Sequence, residues 1–187
     1  MNCMTVNLEV VAHHDLDQPD LARLRGLFDS EYLAEHGQWD PARPYGYSPA
    51  DFHVIARSGN DVVGHVGFQK RVISVGKNDV LVAGTGGVLV SNTARGAGLG
   101  LQLMDRAQES MRNDAAVSFG YLGCRPAVVP FYLSAGWTRI QATERHTARL
   151  DPSQMVESDS SPILICPAAR TVTDWPEGDI DLHGGPW

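Results

Sequence analysis

The sequence predicts an α/β (α+β) fold in which a mixed, mostly antiparallel central sheet is flanked by helices. Runs rich in β-branched residues, joined by tight turns, fill residues 52–90 and indicate an antiparallel meander. Stretches near residues 20–32 and 98–112 show helical spacing instead. With 187 residues and 43% hydrophobic content, the chain can bury one sizeable core, so we predict a single domain over residues 1–187.

The first third of the chain predicts a strand, a helix and a long loop. "TVNLEVVAH", starting at Thr5, is typical of a strand. Asp17 or Asp20, with Pro19, opens a helix that ends near Tyr32. Its apolar residues are Leu21, Leu24, Leu27 and Phe28. The segment 34–51 holds three prolines, two glycines, a tryptophan and two tyrosines, which predicts a loop of a length usually found in binding loops or disordered segments.

The remaining elements alternate. "FHVIAR", "DVVGHVGFQKRVISV" and "DVLVAGTGGVLV" predict three antiparallel strands, and a helix runs from about Gly98 to Arg112. The strand "AVSFGYL", a short helix near "AVVPFYLSA", and strands at "TRIQATERHTARL" and "PILICP" follow. Residues 151–187 are expected to form an acidic arm packed on the core. Pairing of "PILICP" across a two-fold axis would give a homodimer.

Charge is distributed unevenly along the chain. The net charge is −6 over residues 1–53, +5 over residues 54–150 and −6 over residues 151–187. A basic centre suits an anionic cofactor, and acidic ends suit a small cationic substrate; chance differences between solvated faces are the alternative. Because Lys70 and Lys77 are the only lysines, we predict no nucleic-acid partner.

The N-terminal residues and the cysteines indicate a cytoplasmic protein. "MNCMTVNLEV" has no basic segment followed by an apolar run, and no apolar stretch approaches the roughly 18 residues that span a bilayer. We therefore predict no membrane partner. Cys3, Cys124 and Cys166 are odd in number and far apart, so we expect reduced thiols and neither a disulfide framework nor a metal site.

The segment "VLVSNTARGAGLGLQLMDRAQ" places three glycines between a strand and a helix. A helix start carries free N–H groups and the positive end of the dipole, so it binds anions. Gly96, Gly98 and Gly100 let an anion approach the amides, and Arg95 adds a permanent charge. A glycine-rich turn without a ligand is the alternative. A Rossmann site would need an early βαβ unit and a distant acidic residue, which are absent.

The same segment resembles motif A of the GNAT acetyltransferases, Arg/Gln-x-x-Gly-x-Gly/Ala, through Arg95, Gly98 and Gly100. The resemblance implies the GNAT fold from about Thr5 to Leu150 and acetyl-CoA as co-substrate. It places the pyrophosphate on the glycine loop and the pantetheine arm along the preceding strand. The implied cofactor-binding residues are Val88, Leu89, Val90, Arg95, Gly96, Ala97, Gly98, Leu99 and Gly100. "GTGG", which includes Thr85 to Gly87, predicts a bulge in that strand, or flexibility without function.

"FYLSAGW" matches a second GNAT feature, a tyrosine in the helix after the fifth strand. The resemblance implies that Tyr132 is the catalytic acid that protonates the leaving thiolate. An aromatic packed in the core is the alternative, and Pro130 would kink or start the helix. The acceptor amine also needs a base. The candidates are Glu35, His36, Asp40, Asp179, Asp181 and His183, among which spacing does not choose.

Two branches of the superfamily resemble the whole chain. The aminoglycoside 2′-N-acetyltransferases share the glycine-loop strand, the "GW" after Tyr132 and the tail "TDWPEGDIDLHGGPW", which implies a cationic amino-sugar antibiotic as acceptor and a role in resistance. The residues implied for acceptor binding are Glu35, Trp39, Asp40, Asp179, Asp181 and Trp187, the last through its carboxylate. Gly86 stands where those enzymes have a glutamate, which favours a different aminoglycoside such as kasugamycin.

The second branch is nodulation protein A, an N-acyltransferase for a chito-oligosaccharide amine. It is similar in "VVGHVGFQKRVISVGKNDVLVAG" and in the tail. That branch takes its acyl chain from a carrier protein and is less faithful to Arg-x-x-Gly-x-Gly, so the intact "RGAGLG" favours acetyl-CoA and the first branch. A CoA-binding module without turnover is a third hypothesis, supported by the missing glutamate.

Overall fold

A computed structural model describes residues 5–187, which form one ten-stranded sheet with three α-helices. The helices are α1 (Gln18–His36), α2 (Leu99–Arg112) and α3 (Val129–Ser134). The strands are β1 (Asn7–Ala12), β2 (Phe52–Ser58), β3 (Asp61–Val75), β4 (Asn78–Val90), β5 (Phe119–Gly123), β6 (Thr138–Ile140), β7 (Glu144–Thr147), β8 (Met155–Ser158), β9 (Ile163–Pro167) and β10 (Ile180–Asp181). Within these residues, no helix has both the length and the apolar character needed to cross a membrane.

The sheet order is β6-β9-β5-β4-β3-β10-β7-β8. The first half of β3 also pairs with β2, and β2 pairs with β1. Only β4–β5 and β7–β10 are parallel pairs, so the predicted mixed, mostly antiparallel sheet flanked by helices is confirmed. The β2–β3–β4 meander also agrees with the predicted strands, because each turn lies at the glycine-containing segments "SGND" and "VGKND".

Helix α1 starts where its sequence predicts but ends later. Asp17 caps it by accepting a hydrogen bond of 2.7 Å from the Asp20 backbone N–H. The helix continues past the expected end at Tyr32 to His36, and Gly37 terminates it with a φ of 77°. The extra turn therefore includes the start of the segment that was predicted to be a loop.

Alternating strand residues bury apolar side chains on both faces of the sheet. Val54 packs with α2 residues such as Leu103 on one face, whereas its neighbour Ile55 packs with Leu24 and Phe28 of α1 on the other. Burial on both faces explains why β2 and the first half of β3 are mostly apolar.

Strands β4 and β5 separate, and their separation positions the site. They pair in parallel only from Val82 with Phe119 to Gly84 with Tyr121. Strand β4 then continues to Val90 without β5 beside it. Because the backbone groups on that side of β4 lack a neighbouring strand, they are available to a ligand.

The final third of the chain differs from its predicted organisation. The predicted strand 138–150 is divided into β6 and β7, and β8 and β10 were not predicted. Residues 151–187, expected as an arm packed on the core, contribute β8, β9 and β10 to the sheet. The prediction that "PILICP" pairs across a two-fold axis is wrong, because β9 lies between β5 and β6 and both its edges are occupied. A homodimer through another surface stays a prediction.

Candidate active site

Strand β4 carries a bulge at the glycines predicted to form one. Opposite β3, His65 pairs with Leu89 and Gly67 pairs with Gly86, so Gly87 and Val88 together face the single residue Val66. Gly87 has a φ of 60°, which favours glycine. The predicted bulge is confirmed. It lies on the part of β4 that no longer pairs with β5.

A groove of about 430 Å³ runs from this bulge to the start of α2. Gly96 and Gly98 have φ angles of 84° and 75°, and Gly98 is the left-handed N-cap residue. The first backbone bond into the helix joins Gln102 N–H to Gly98 C=O, so the amides before Gln102 lack intrahelical acceptors. Eight of the nine predicted cofactor residues line the groove, namely Val88, Leu89, Val90, Arg95, Gly96, Gly98, Leu99 and Gly100. Ala97 does not.

Arg95 lines this groove with a half-exposed side chain that hydrogen-bonds two neighbours. Its Nε donates to the Val90 carbonyl at 3.0 Å, and its Nη2 donates to Glu31 Oε2 at 3.1 Å. The contact with Glu31 in α1 was not predicted, since 64 residues separate the two. Gly100 packs against the Phe131 ring, which would lie 3.2 Å from a Cβ at that position.

A second cavity, of about 480 Å³, lies between the end of α1, the loop 37–51, the bulge and the start of α3. We call it the aromatic cavity because its wall includes Phe28, Tyr32, Trp39, Tyr45, Tyr47, Phe68, Tyr132 and Trp187. Val88 lines both this cavity and the groove. The two spaces therefore meet at the β4 bulge.

Tyr132 forms part of the aromatic cavity wall. Pro130 is the second residue of α3, within its first turn, and does not interrupt the helix. Tyr132 is 9% exposed, and its ring packs edge-on against Phe131 and Trp137. Burial raises the pKa of Tyr132 above its usual value, so the hydroxyl is protonated at neutral pH and able to donate.

Three histidines missed at the sequence level cross the sheet beside the bulge. His13 Nδ1 lies 3.0 Å from His53 Nε2, His53 Nδ1 lies 2.9 Å from His65 Nε2, and His65 Nδ1 lies 2.7 Å from the Gly87 carbonyl oxygen. His53 and His65 are each 2% exposed and line the aromatic cavity. Burial lowers the pKa of His53 to about 3 and that of His65 to about 4, so both are neutral at pH 7. The available signal was a histidine within each of two otherwise apolar strands.

These histidines do not form a metal site. Among residues 5–187, no group of three His, Cys, Asp or Glu side chains is arranged to hold a metal ion. The described cysteines, Cys124 and Cys166, are free thiols, and the predicted thiol at Cys3 lies outside the described residues. Burial raises the pKa of Cys166 to about 12, which makes it unreactive as a nucleophile.

Comparison with known proteins identifies the family. The family model described as "Nodulation protein A (NodA)" matches residues 4–186. The chain belongs to the nodulation protein A family. It is 28% identical to nodulation protein A of Rhizobium tropici over 200 residues, covering 98% of this chain and 94% of that one. The Mesorhizobium plurifarium protein is 25% identical over 169 residues, covering 85% and 81%.

Solved structures confirm the GNAT fold for this nodulation protein A relative. Escherichia coli ElaA superposes with a TM-score of 0.60 at 20% identity, covering 86% of this chain and 98% of that one. The E. coli GNAT family N-acetyltransferase YhbS, solved in complex with CoA, gives a TM-score of 0.57 at 17% identity, covering 96% and 91%.

The predicted acceptor residues of this NodA-family chain fall into two groups. Glu35, Trp39 and Trp187 line the aromatic cavity, as does the base candidate His36. The other predicted residues lie outside the lining. Asp40 accepts a hydrogen bond from Ala42 N–H at 2.9 Å, and the Asp179 carbonyl accepts one from Gly76 N–H at 2.8 Å. Asp181 in β10 and the base candidate His183 contact each other.

Trp187 explains why this NodA-family chain has glycine at position 86. A Cβ at Gly86 would lie 2.9 Å from the Trp187 carbonyl carbon, and one at Gly84 would lie 2.0 Å from the indole ring. The indole donates to Gln69 Oε1 at 3.1 Å and is covered by the Arg71 guanidinium at 4.1 Å. The space that a glutamate side chain would need at position 86 is therefore filled by Trp187.

Proposed function

We propose that this protein is an N-acyltransferase that moves an acyl group from acyl-CoA to the free amine of an amino sugar, with a chito-oligosaccharide as acceptor. The observation that carries the proposal is the junction at the bulge. The anion-binding groove at α2 and the aromatic cavity share Val88, so a donor along β4 and an acceptor in the cavity would meet beside Tyr132.

The groove fits the diphosphate end of the donor. Free amides at the start of α2 and the Arg95 guanidinium offer hydrogen-bond donors to phosphate oxygens. Gly96 and Gly98 leave open space, since no atom lies within 4 Å of a Cβ built on either. When bound, the thioester supplies an activated acyl carbon.

The chain supplies a proton donor and two proton acceptors. We assign the protonation of the departing thiolate to Tyr132, which lines the cavity and whose hydroxyl carries a proton at neutral pH. Glu35 and His36 line the cavity and have exposed side chains. They would accept the proton of an incoming ammonium group through water.

The wall of the aromatic cavity favours a sugar over a polycation. Arg125 and Arg149 line it together with Glu35, whereas Asp40, Asp179 and Asp181 lie elsewhere. The aromatic rings of the wall offer apolar faces on which sugar rings can stack. The side chains of Arg125, Arg149 and Glu35 add hydrogen-bonding groups for the hydroxyls of such an acceptor. With the family membership, this favours the chito-oligosaccharide acceptor over the aminoglycoside one.

The decisive experiment measures thiol release and product mass with acetyl-CoA and longer acyl-CoAs. The acceptors are a chito-oligosaccharide with one free amine, its fully N-acetylated counterpart, kasugamycin and a typical aminoglycoside. Amide formation on the free-amine oligosaccharide supports the proposal, and the N-acetylated counterpart is the matched negative control. Turnover with an aminoglycoside alone would restore the resistance hypothesis. Acyl-CoA binding without turnover would favour a binding module.

A further inference from the structure

The row of three histidines has no task in the proposed acyl transfer, although it ends at the β4 bulge. It runs across four consecutive strands, from the half-buried His13 after β1 through His53 in β2 and His65 in β3 to the Gly87 carbonyl in β4. Phe28 of α1 packs edge-on against His65, with ring centroids 5.2 Å apart. Two buried imidazoles in one hydrogen-bonded line require a specific arrangement of protons.

The Gly87 carbonyl determines that arrangement. A carbonyl oxygen only accepts hydrogen bonds, so the proton of neutral His65 lies on Nδ1, which donates to Gly87. His65 Nε2 must then accept from His53 Nδ1–H, and His53 Nε2 must accept from His13 Nδ1–H. Both nitrogens of each buried ring are engaged. Neither His53 nor His65 therefore has an acceptor atom left for a substrate proton, which excludes a role as base in this arrangement.

What His65 controls is the peptide between Gly87 and Val88. Because a trans peptide is planar, its C=O and N–H point in opposite directions. With the Gly87 carbonyl turned to His65, the Val88 N–H points away from His65. Gly87, at a φ of 60°, would allow other peptide orientations if this bond were absent. Val88 stands where the groove meets the aromatic cavity.

We propose that His65 is a positioning residue for acyl transfer, held by His53 and His13, which fixes the Gly87–Val88 peptide so that Val88 N–H donates to the carbonyl oxygen of the bound acyl group. The inference rests on the proposed function. A preoriented donor stabilises the negative charge that develops on that oxygen during attack by the amine. Such a donor acts without reorganising during the reaction, so the effect falls on kcat.

The test compares His65→Leu, which removes the donor, with His65→Asn, whose side-chain amide places a donor two bonds from Cβ as His Nδ1 does. His14→Gln is the matched control, because His14 is exposed and pairs only with Asp15 among the charged residues in 5–187. Loss of one oxyanion donor costs about 10²- to 10³-fold in kcat. In His65→Leu the Val88 N–H is still present but is no longer held in one orientation. We therefore expect kcat to fall by about 10- to 100-fold, while the KM values for donor and acceptor stay within about twofold. His65→Asn should regain most of the rate, and His14→Gln should match the wild type.

A second readout does not depend on activity. Nitrogen NMR of the wild-type protein should show His65 protonated at Nδ1 and unprotonated at Nε2, and the Val88 amide should give one sharp resonance. In His65→Leu that resonance should shift and broaden, and in His65→Asn it should stay sharp. Absence of acyl transfer by the wild type would defeat the proposed function, while these spectra would still decide the positioning role. The positioning role of His65 would be overturned if its proton were found on Nε2 or if His65→Leu kept the wild-type kcat.

Discussion

The indole of Trp187 lies directly on the backbone of Gly84, where a Cβ would come within 2.0 Å of the ring. Gly84 is the last β4 residue that pairs with β5, so this contact closes one side of the aromatic cavity at the point where the strands separate. Any side chain at position 84 must displace the ring, because its nearest neighbours are rigid aromatic atoms.

We therefore predict that Gly84→Ala lowers the free energy of unfolding by about 1–3 kcal/mol. Gly26→Ala is the matched control, since Gly26 lies in α1 with no atom within 4 Å of its Cβ position; it should raise stability by roughly 0.5–1 kcal/mol. Urea denaturation measures both. Equal stability of the wild type and Gly84→Ala would show that the indole does not rest on Gly84 in solution.

Replacement of Tyr132 by phenylalanine should lower kcat while leaving the affinity for acyl-CoA intact. The phenol is buried and protonated, and removing a general acid typically costs about 10²- to 10⁴-fold. Calorimetric titration with CoA and steady-state kinetics separate the two effects. If Tyr132→Phe retains the full rate, the aromatic packing of this residue with Trp137 is its main role.

Replacement of Arg95 by glutamine should raise the KM for acyl-CoA by roughly 3- to 10-fold with little change in kcat, because its guanidinium is a positively charged group in the groove lining. Arg106→Gln is the control, as Arg106 pairs with Glu109 on the exposed side of α2. The difference between the two variants should shrink at high salt. An equal change of KM in both variants would mean that the net charge of the protein, and not a local contact of Arg95 with acyl-CoA, determines the effect.

Among the acidic residues first expected to bind the acceptor, only Glu35 should matter to acceptor KM. Glu35→Gln removes a carboxylate from the cavity lining and should raise KM for the amino sugar by about 3- to 10-fold. Asp179→Asn and Asp181→Asn should leave KM within about twofold, because both residues lie outside that lining. A larger effect of the Asp variants on kinetics at unchanged stability would contradict this placement of the acceptor.

The two buried histidines should make the protein sensitive to acid. Their pKa values of about 3 and about 4 lie below the ordinary value of 6.5, so below pH 6.5 the unfolded chain binds protons that the folded chain does not. Stability should therefore rise with pH between about 4 and 6.5. In His53→Gln, the unfolded chain takes up about one proton fewer near pH 5. The slope of the free energy of unfolding against pH should therefore decrease by roughly 1.4 kcal/mol per pH unit. Urea titrations from pH 4 to 7.5 test this, and an unchanged slope would mean that His53 is solvated.

Local chemistry was enough to predict the elements around the groove at the start of α2. Glycines at positive φ, a strand ending at Val90 and a helix starting at Leu99 are consequences of short-range sterics and hydrogen bonding. The same holds for the β4 bulge and for the start of α3, which has Pro130 in its first turn. The residues that the GNAT resemblance implies for the cofactor, apart from Ala97, line the groove between these elements.

The sequence by itself determined the β2–β3–β4 meander, the three helices and the glycine-lined groove at the start of α2, because periodicity and glycine chemistry act over a few residues. Only the tertiary structure decided which distant residues share the aromatic cavity. Trp187 fills the space at Gly86, His53 and His65 meet across β2 and β3, and Asp179 and Asp181 join the far half of β3. Those contacts depend on strand register, which the packing of the whole sheet establishes.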